Sequence, residues 1–349
     1  MVINVLTFGV ELLGFERILD IDNLKMIYVI IPTYNRANTI IRAINSVLRN
    51  NNMFCIVIDD GSTDNTKNLI DSYLEKNKDY KNKLFYFYKE NGGACDAINY
   101  GINKLLKLSK DYYNDYFLIL GSDDELSIDS YEKINKYINI YNSYNSLWFT
   151  IYNKTDNKVI FSFKENIEEI NFKNYIENYL DKMIDVAIIS KISKFKNTKN
   201  TNISLPITGG EYIPHINDLR ENPAIFINET IYFAYYDWGS ITRSVVNKDK
   251  FKDYLFVAEI MFNNFGEDFL KYGREDLYYK FLSIMGISNN MLGNKRKGWN
   301  YLKISFVKSI FMYPYFSILN LITILPIEKL LFLLLLIRDN IKRKIIYKN

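Results

Sequence analysis

Four short apolar runs constrain this chain more than any other feature: residues 27–31 (IYVII), 54–58 (FCIVI), 84–88 (LFYFY) and 116–120 (YFLIL). Each is β-branched or aromatic and nearly continuous in its hydrophobicity, as expected of a strand covered on both faces. Between them the apolar residues fall at helical spacing. Ile40, Ile41, Ile44, Val47 and Leu48 follow the first run, and a polar helix from Asp64 carrying Leu69, Ile70, Tyr73 and Leu74 follows the second. Ala97, Ile98, Ile102, Leu105 and Leu106 follow the third. Alternation at this interval predicts an α/β fold with a mostly parallel central sheet and helices on both faces. In such sheets ligands bind beyond the carboxyl ends of the strands. Here those ends read PTYN, DDGSTD, KENGG and GSDDE, which predicts one shared polar crevice.

Composition narrows the function classes. At 48% hydrophobic and 24% charged, the chain is neither disordered nor a disulfide scaffold. Cys55 and Cys95 have no metal-type spacing and fit a reducing compartment. A single histidine, His215, excludes a His-rich metal site. The formal net charge is 44 − 40 = +4, and residues 338–349 (RDNIKRKIIYKN) contribute 5 − 1 = +4 of it. The remainder is balanced, so no nucleic-acid partner is expected. The charge belongs to one end.

The crevice residues have recognisable chemistry. Asp123 and Asp124 follow a buried strand, where carboxylates are costly without a cation or donors. Oxygen ligation by such a pair suits Mg²⁺ or Mn²⁺, and a solvated turn is the plain alternative. Asp59 and Asp60 repeat the arrangement one strand earlier. Asp60 suits the N–H of a uracil-like base, and Asp64 suits helix capping. Tyr34 can stack on a base, Asn35 can fix its loop, and Asn91-Gly92-Gly93 lets backbone approach a ligand or simply starts a helix.

Together, IIPTYNRANTIIRAINSVL, VIDDGSTDNT, KENGGACDAINYGI and YFLILGSDDEL resemble the family 2 glycosyltransferases of the GT-A fold, over roughly residues 27–140. The resemblance implies an inverting transferase that uses a nucleotide-activated sugar, with UDP the default nucleotide, and a divalent cation, Mn²⁺ or Mg²⁺. It implies that Pro32, Thr33, Tyr34 and Asp60 hold the base, with Asn35, Asn91 and Gly92 nearby. Asp123 would contact the ribose or the metal, and Asp124 would ligate the metal directly. Asp96 departs from the small or basic residue usual after the paired glycines, which leaves the sugar specificity open. The segment ITGGEYIPHINDLRENPAIFINETIYFAYYDWGSIT resembles the acceptor side of bacterial members and makes Glu211 the candidate base. Glu275 and Asp276 in YGREDLYYKF are the alternatives, against a solvated helical face with Arg274. Trp238 is a candidate sugar-stacking wall and Arg243 a candidate diphosphate contact, while His215 reads as a surface histidine. Two other readings are a nucleotidyltransferase of similar fold, for which PTYNRANT lacks the Gly-rich basic loop, and a non-catalytic sugar-nucleotide-binding subunit.

The expected organisation is an N-terminal extension (1–25), a nucleotide-sugar half (26–145), an acceptor half (146–245) and a C-terminal helical region (246–349). Met26 is an alternative start. Residues 147–152 and 159–163 predict a hairpin around Asp156-Asn157, residues 172–189 a helix, and 191–202 a mobile loop. Residues 316–337 are apolar but divided by Pro326, Glu328 and Lys329, which with the basic tail suits a peripheral anchor on a cytoplasmic membrane face or a packed helical hairpin. The expected acceptor is a glycan or a lipid-linked sugar.

Overall fold

The computed structural model describes residues 25–111, 113–182, 185–195, 213–236 and 248–312. The chain forms two compact units, the first running to Glu169 and completed by Asp185–Ile203 and Ala224–Tyr235.

In the first unit, β1 (Ile27–Thr33), β2 (Met53–Asp60), β3 (Leu84–Lys89) and β4 (Tyr116–Ile119) are the four apolar runs. They lie parallel in the order β3-β2-β1-β4. Helices α1 (Ile40–Leu48), α2 (Thr66–Lys76) and α3 (Ala94–Leu108) alternate with them. Tyr28 and Ile30 of β1, with Ile56 and Ile58 of β2, bury against Ala97 and Leu105 of α3. Strand alternation sends Ile27, Val29 and Ile31 to the opposite face, and all three are fully buried. Helix α3 sits close because of Gly101: a Cβ there would lie 2.6 Å from Ile30 Cγ2 and 3.2 Å from Ile58 Cγ1.

The sheet then becomes mixed. After β5 (Glu125–Leu126) and α4 (Ser130–Ile140) come β6 (Ser146–Asn153), β7 (Lys158–Val159) and β8 (Ile167–Ile170). Strands β9 (Val186–Lys191) and β10 (Ala224–Ala234) complete it, in the order β4-β9-β6-β10-β5. Strand β9 is antiparallel to both β4 and β6, β6 is parallel to β10, and β10 is antiparallel to β5. The predicted hairpin is present as β6 and β7, with a shorter second strand.

The single helix expected over 172–189 is not formed. Helix α5 covers only Phe172–Asn178, and 186–191 is the central strand β9. Phe172, Tyr175, Ile176 and Tyr179 keep helical spacing, whereas Val186-Ala187-Ile188-Ile189 is continuous and mostly β-branched, which suits a strand lying between two partners. Of the expected loop, 192–195 is a short 3₁₀ turn and 196–202 lies outside the described residues.

The second unit contains α5, α6 (Ile213–Asp218) and three long helices, α7 (Lys248–Lys271), α8 (Glu275–Met291) and α9 (Lys295–Met312). Gly273 and Gly293, at φ 72° and 90°, close α7 and α8 in a left-handed conformation that a β-carbon disfavours. Residues 1–24 and the apolar and basic C-terminal segments lie outside the described residues. Among the described residues no helix is long and apolar enough to cross a membrane.

Candidate active site

The first two strand ends are tied to each other. Asn35 adopts φ 52°, a left-handed conformation that asparagine tolerates better than most residues. Its N–H donates to Ser62 Oγ (2.9 Å), and its Oδ1 accepts from the N–H groups of Thr63 (2.8 Å) and Asp64 (3.2 Å). Asp64 accepts from Ala37 N–H (3.0 Å) and Thr66 N–H (3.0 Å), so it ties the first loop to the first residue of α2, while the N-cap position itself is Asn65, whose side chain makes no capping bond. Burial works against the Asp64 carboxylate, but its bonds from Thr66 and Ala37 prevail and hold its pKa below the ordinary value. Tyr34 stays 48% exposed on the rim, whereas Thr33 is buried and its hydroxyl has no hydrogen-bond partner. Pro32 is half-buried beside them.

Asp59 and Asp60 are both buried. Asp59 accepts from Ser62 N–H (2.8 Å) and the Tyr86 hydroxyl (2.7 Å), and is a loop-building residue. Asp60 accepts from three donors: Lys89 Nζ (2.6 Å), Gly92 N–H (2.9 Å) and Gly93 N–H (2.7 Å). Of the roughly four acceptor positions on a carboxylate, about one is left for a ligand. Lys89 also reaches Asp96 Oδ2 (2.6 Å). Burial opposes the ammonium charge, but Asp60 and Asp96 outweigh it and raise the Lys89 pKa. The departure at Asp96 is thereby explained locally: it is the second anion on a lysine that organises the glycine turn. Asn91 Nδ2 donates to the Asp60 carbonyl (2.8 Å) and closes the same turn.

The acid pair follows β4. Arg36, two residues beyond Tyr34, approaches Asp123 Oδ2 at 3.4 Å, which links the first loop to this end of the crevice. Arg42 bonds the Asp123 carbonyl and stacks over the Tyr235 ring at 3.8 Å. Asp124 is held from β10 and the residue after it: Oδ2 accepts from the Tyr232 hydroxyl (2.6 Å) and Oδ1 from Tyr235 N–H (2.8 Å). Burial raises the Asp124 pKa to about 7, the Tyr232 bond opposes that rise, and the neighbouring Asp123 charge adds to it. A Cβ at Gly121 would lie 2.5 Å from Asp124 Oδ2 and 3.1 Å from Asp123 Oδ1, so both carboxylates converge on one point that the glycine keeps open. An oxygen-only donor pair around such an opening fits a hard divalent cation. Among the described residues no group of three or more His, Cys, Asp or Glu side chains is placed to hold a metal.

The remaining sequence candidates fall elsewhere. Glu211, Trp238 and Arg243 lie outside the described residues. His215 is in the six-residue α6. Glu275 and Asp276 occupy the first turn of α8 in the second unit. Asp276 is engaged by Arg274 through two 2.8 Å bonds, and Arg274 also donates to the carbonyls of Ile176 and Glu177. That forked guanidinium serves a structural junction. Sequence reasoning did not assign roles to Arg36, Arg42, Lys89, Tyr232 or Tyr235. For Arg36 and Lys89 the available signal was a cation within or beside a polar strand end, whereas Arg42 inside α1 and the tyrosines in IYFAYYD carry no local mark of what they touch.

A parallel β3-β2-β1-β4 half with an acid pair after β4, continued by a mixed half, is the architecture of GT-A glycosyltransferases. Residues 28–212 match the family model described as Glycosyl transferase family 2, more than half of the 349 residues, and the chain belongs to that family. It is 44% identical over 79 residues to an uncharacterized glycosyltransferase of Rickettsia typhi, 22% of this chain and 23% of that protein. Against an uncharacterized glycosyltransferase of Mycoplasma genitalium it is 46% identical over 78 residues, 21% and 25% of the two chains. The matched segments thus span about a quarter of these relatives. Among solved structures, S. aureus TarS residues 1–349 in complex with UDP superposes with a TM-score of 0.52 at 14% identity, covering 86% of this chain and 89% of that one. The likeness to TarS is one of fold.

Proposed function

We propose that the chain moves a sugar from a nucleotide-activated donor, by default a UDP-sugar, to a glycan or lipid-linked acceptor with inversion at the anomeric carbon. The observation that carries this reading is the convergence of Asp123 and Asp124 over Gly121, joined through Arg36 to the loop that bears Tyr34. UDP in the TarS complex supports the choice of nucleotide. Pro32, Thr33, Tyr34 and Asn35 form one wall for the base, with Tyr34 free to stack and the unpartnered Thr33 hydroxyl behind it. The remaining acceptor position on Asp60 takes a base N–H, while Asn91 and Gly92 bring backbone close. Asp124 and Asp123 hold Mn²⁺ or Mg²⁺, which when bound offsets negative charge on a departing diphosphate. Glu211 takes the acceptor proton as its oxygen attacks the anomeric carbon and the bond to the nucleoside diphosphate breaks. Glu275 is the second candidate, and Asp276, already spent on Arg274, is the weaker member of that pair.

Nucleoside diphosphates with and without Mn²⁺ in a thermal-shift panel test this reading. A ligand of the native state stabilises by mass action, so UDP with Mn²⁺ is expected to protect more than either alone. Absence of protection by every nucleoside diphosphate defeats the proposal, as does full transfer activity in Asp124→Ala. The basic segment 338–349 and the apolar segment before it support association with an anionic, cytoplasmic membrane face. Loss of sedimentation with anionic vesicles on removing residues 316–349 is the expected result.

A further inference from the structure

We infer that Tyr232 is a positioning residue for Asp124, its buried phenol fixing the direction in which that carboxylate faces the opening over Gly121. The inference rests on the cation reading above and concerns the residue that makes the pair competent. Tyr232 is 8% exposed and sits on β10 opposite Leu126 of β5. Its oxygen accepts the Gly121 N–H at 2.9 Å, and its single proton is donated to Asp124 Oδ2 at 2.6 Å. A hydroxyl has one hydrogen, so once its oxygen faces a fixed backbone donor its own proton has one direction left. Tyr235 N–H holds the other oxygen at 2.8 Å. Both anchors lie more than 100 residues from Asp124 along the chain, at separations of 108 and 111. The carboxylate therefore cannot turn about its own axis without losing one of them. The effect is orientation by two uncharged donors, one on each Asp124 oxygen.

Hydrogen bonds that orient a metal-ligating carboxylate typically change affinity by about 10–100-fold when removed. Mn²⁺ titration calorimetry on the full chain therefore compares wild type, Tyr232→Phe and Tyr144→Phe. Tyr232→Phe keeps the ring in its packing and removes only the bridging oxygen, and a 10–100-fold weaker Kd is expected. Tyr144→Phe removes a tyrosine hydroxyl that bonds the exposed Glu169 and touches neither acid, and should leave the Kd unchanged. Wild-type affinity in a folded Tyr232→Phe protein overturns the inference and leaves the cation reading standing. Absence of Mn²⁺ binding in wild type overturns both. If Tyr232→Phe does not fold, ¹³Cζ-tyrosine spectra of wild type titrated with Mg²⁺ decide the matter. The Tyr232 resonance must shift with the calorimetric saturation curve, and an unmoved resonance is refuting.

Discussion

Gly121→Ala isolates the point on which both acid side chains converge. The glycine has no positive φ, so the backbone accepts alanine, and the unfolded chain loses entropy worth about 0.4–1 kcal/mol in favour of folding. The new methyl is the whole cost. It would lie 2.5 Å from Asp124 Oδ2, and ordinary contact begins at 3.4 Å, so the overlap is 3.4 − 2.5 = 0.9 Å. Asp123 Oδ1 at 3.1 Å blocks the other side. Asp124 must swing away and weaken its bonds from Tyr232 and Tyr235, with hydrogen bonds to charged groups worth about 1.5–3 kcal/mol each. Overpacking of this size costs about 1–3 kcal/mol. Set against the backbone gain, a net loss of about 1–2 kcal/mol in urea unfolding is expected. Cation affinity should fall much further than stability, because the methyl fills the space the cation needs. Mn²⁺ calorimetry and donor hydrolysis on the same preparation measure both. A Gly121→Ala protein that binds Mn²⁺ and turns over donor like wild type would refute the assignment of this opening.

Gly101→Ala should destabilise by about 1 kcal/mol, since overpacking against Ile30 and Ile58 exceeds the helix-propensity gain of about 1 kcal/mol; a raised midpoint in urea would count against the close α3 packing. Asp60→Asn removes the anion buried beside Lys89 and should cost about 3 kcal/mol together with protection by UDP, and the Asp60→Asn, Lys89→Met double variant should recover part of the stability. Additive losses in that cycle would show the pair to be uncoupled. Asp64 has a depressed folded pKa, so its contribution is present above the ordinary carboxylate value of about 4 and disappears as pH falls through the lower folded value. Melting temperatures between pH 2 and 6 should therefore fall less steeply on the acid side in Asp64→Asn, and an unchanged acid limb would remove Asp64 from the account.

The parallel half was legible because each strand declares itself locally. IYVII, FCIVI, LFYFY and YFLIL are apolar on consecutive positions, and every one ends in residues that can only be a polar turn. Asp60, Asp123 and Asp124 could be picked out for the same reason, as carboxylates placed where a buried strand stops. The mixed half was less legible, since β9 joins β4 to β6 across long stretches of chain and its β-branched run follows the helical spacing of 172–179 with no glycine or proline between to mark the change. Lys89 illustrates an intermediate case. Its position after LFYFY was visible, but only the fold brings it to Asp60 and Asp96, 29 residues before it and 7 after it in sequence.

The anchoring of Asp124 explains why the acid pair alone was an ambiguous signal. Two adjacent aspartates in a flexible turn would point into water and repel one another. Here Asp123 is offset by Arg36 and Asp124 by two donors, Tyr232 on β10 and Tyr235 just after it, so each carboxylate has its own compensation. Burial still raises the Asp124 pKa to about 7, which means that these donors compensate for desolvation only in part. On the proposed reading, a cation held by Asp123 and Asp124 would supply the positive charge that these donors leave missing. Strand β10 thus does two things at once: it extends the sheet to β5, and its end fixes the Asp124 carboxylate through Tyr232 and Tyr235.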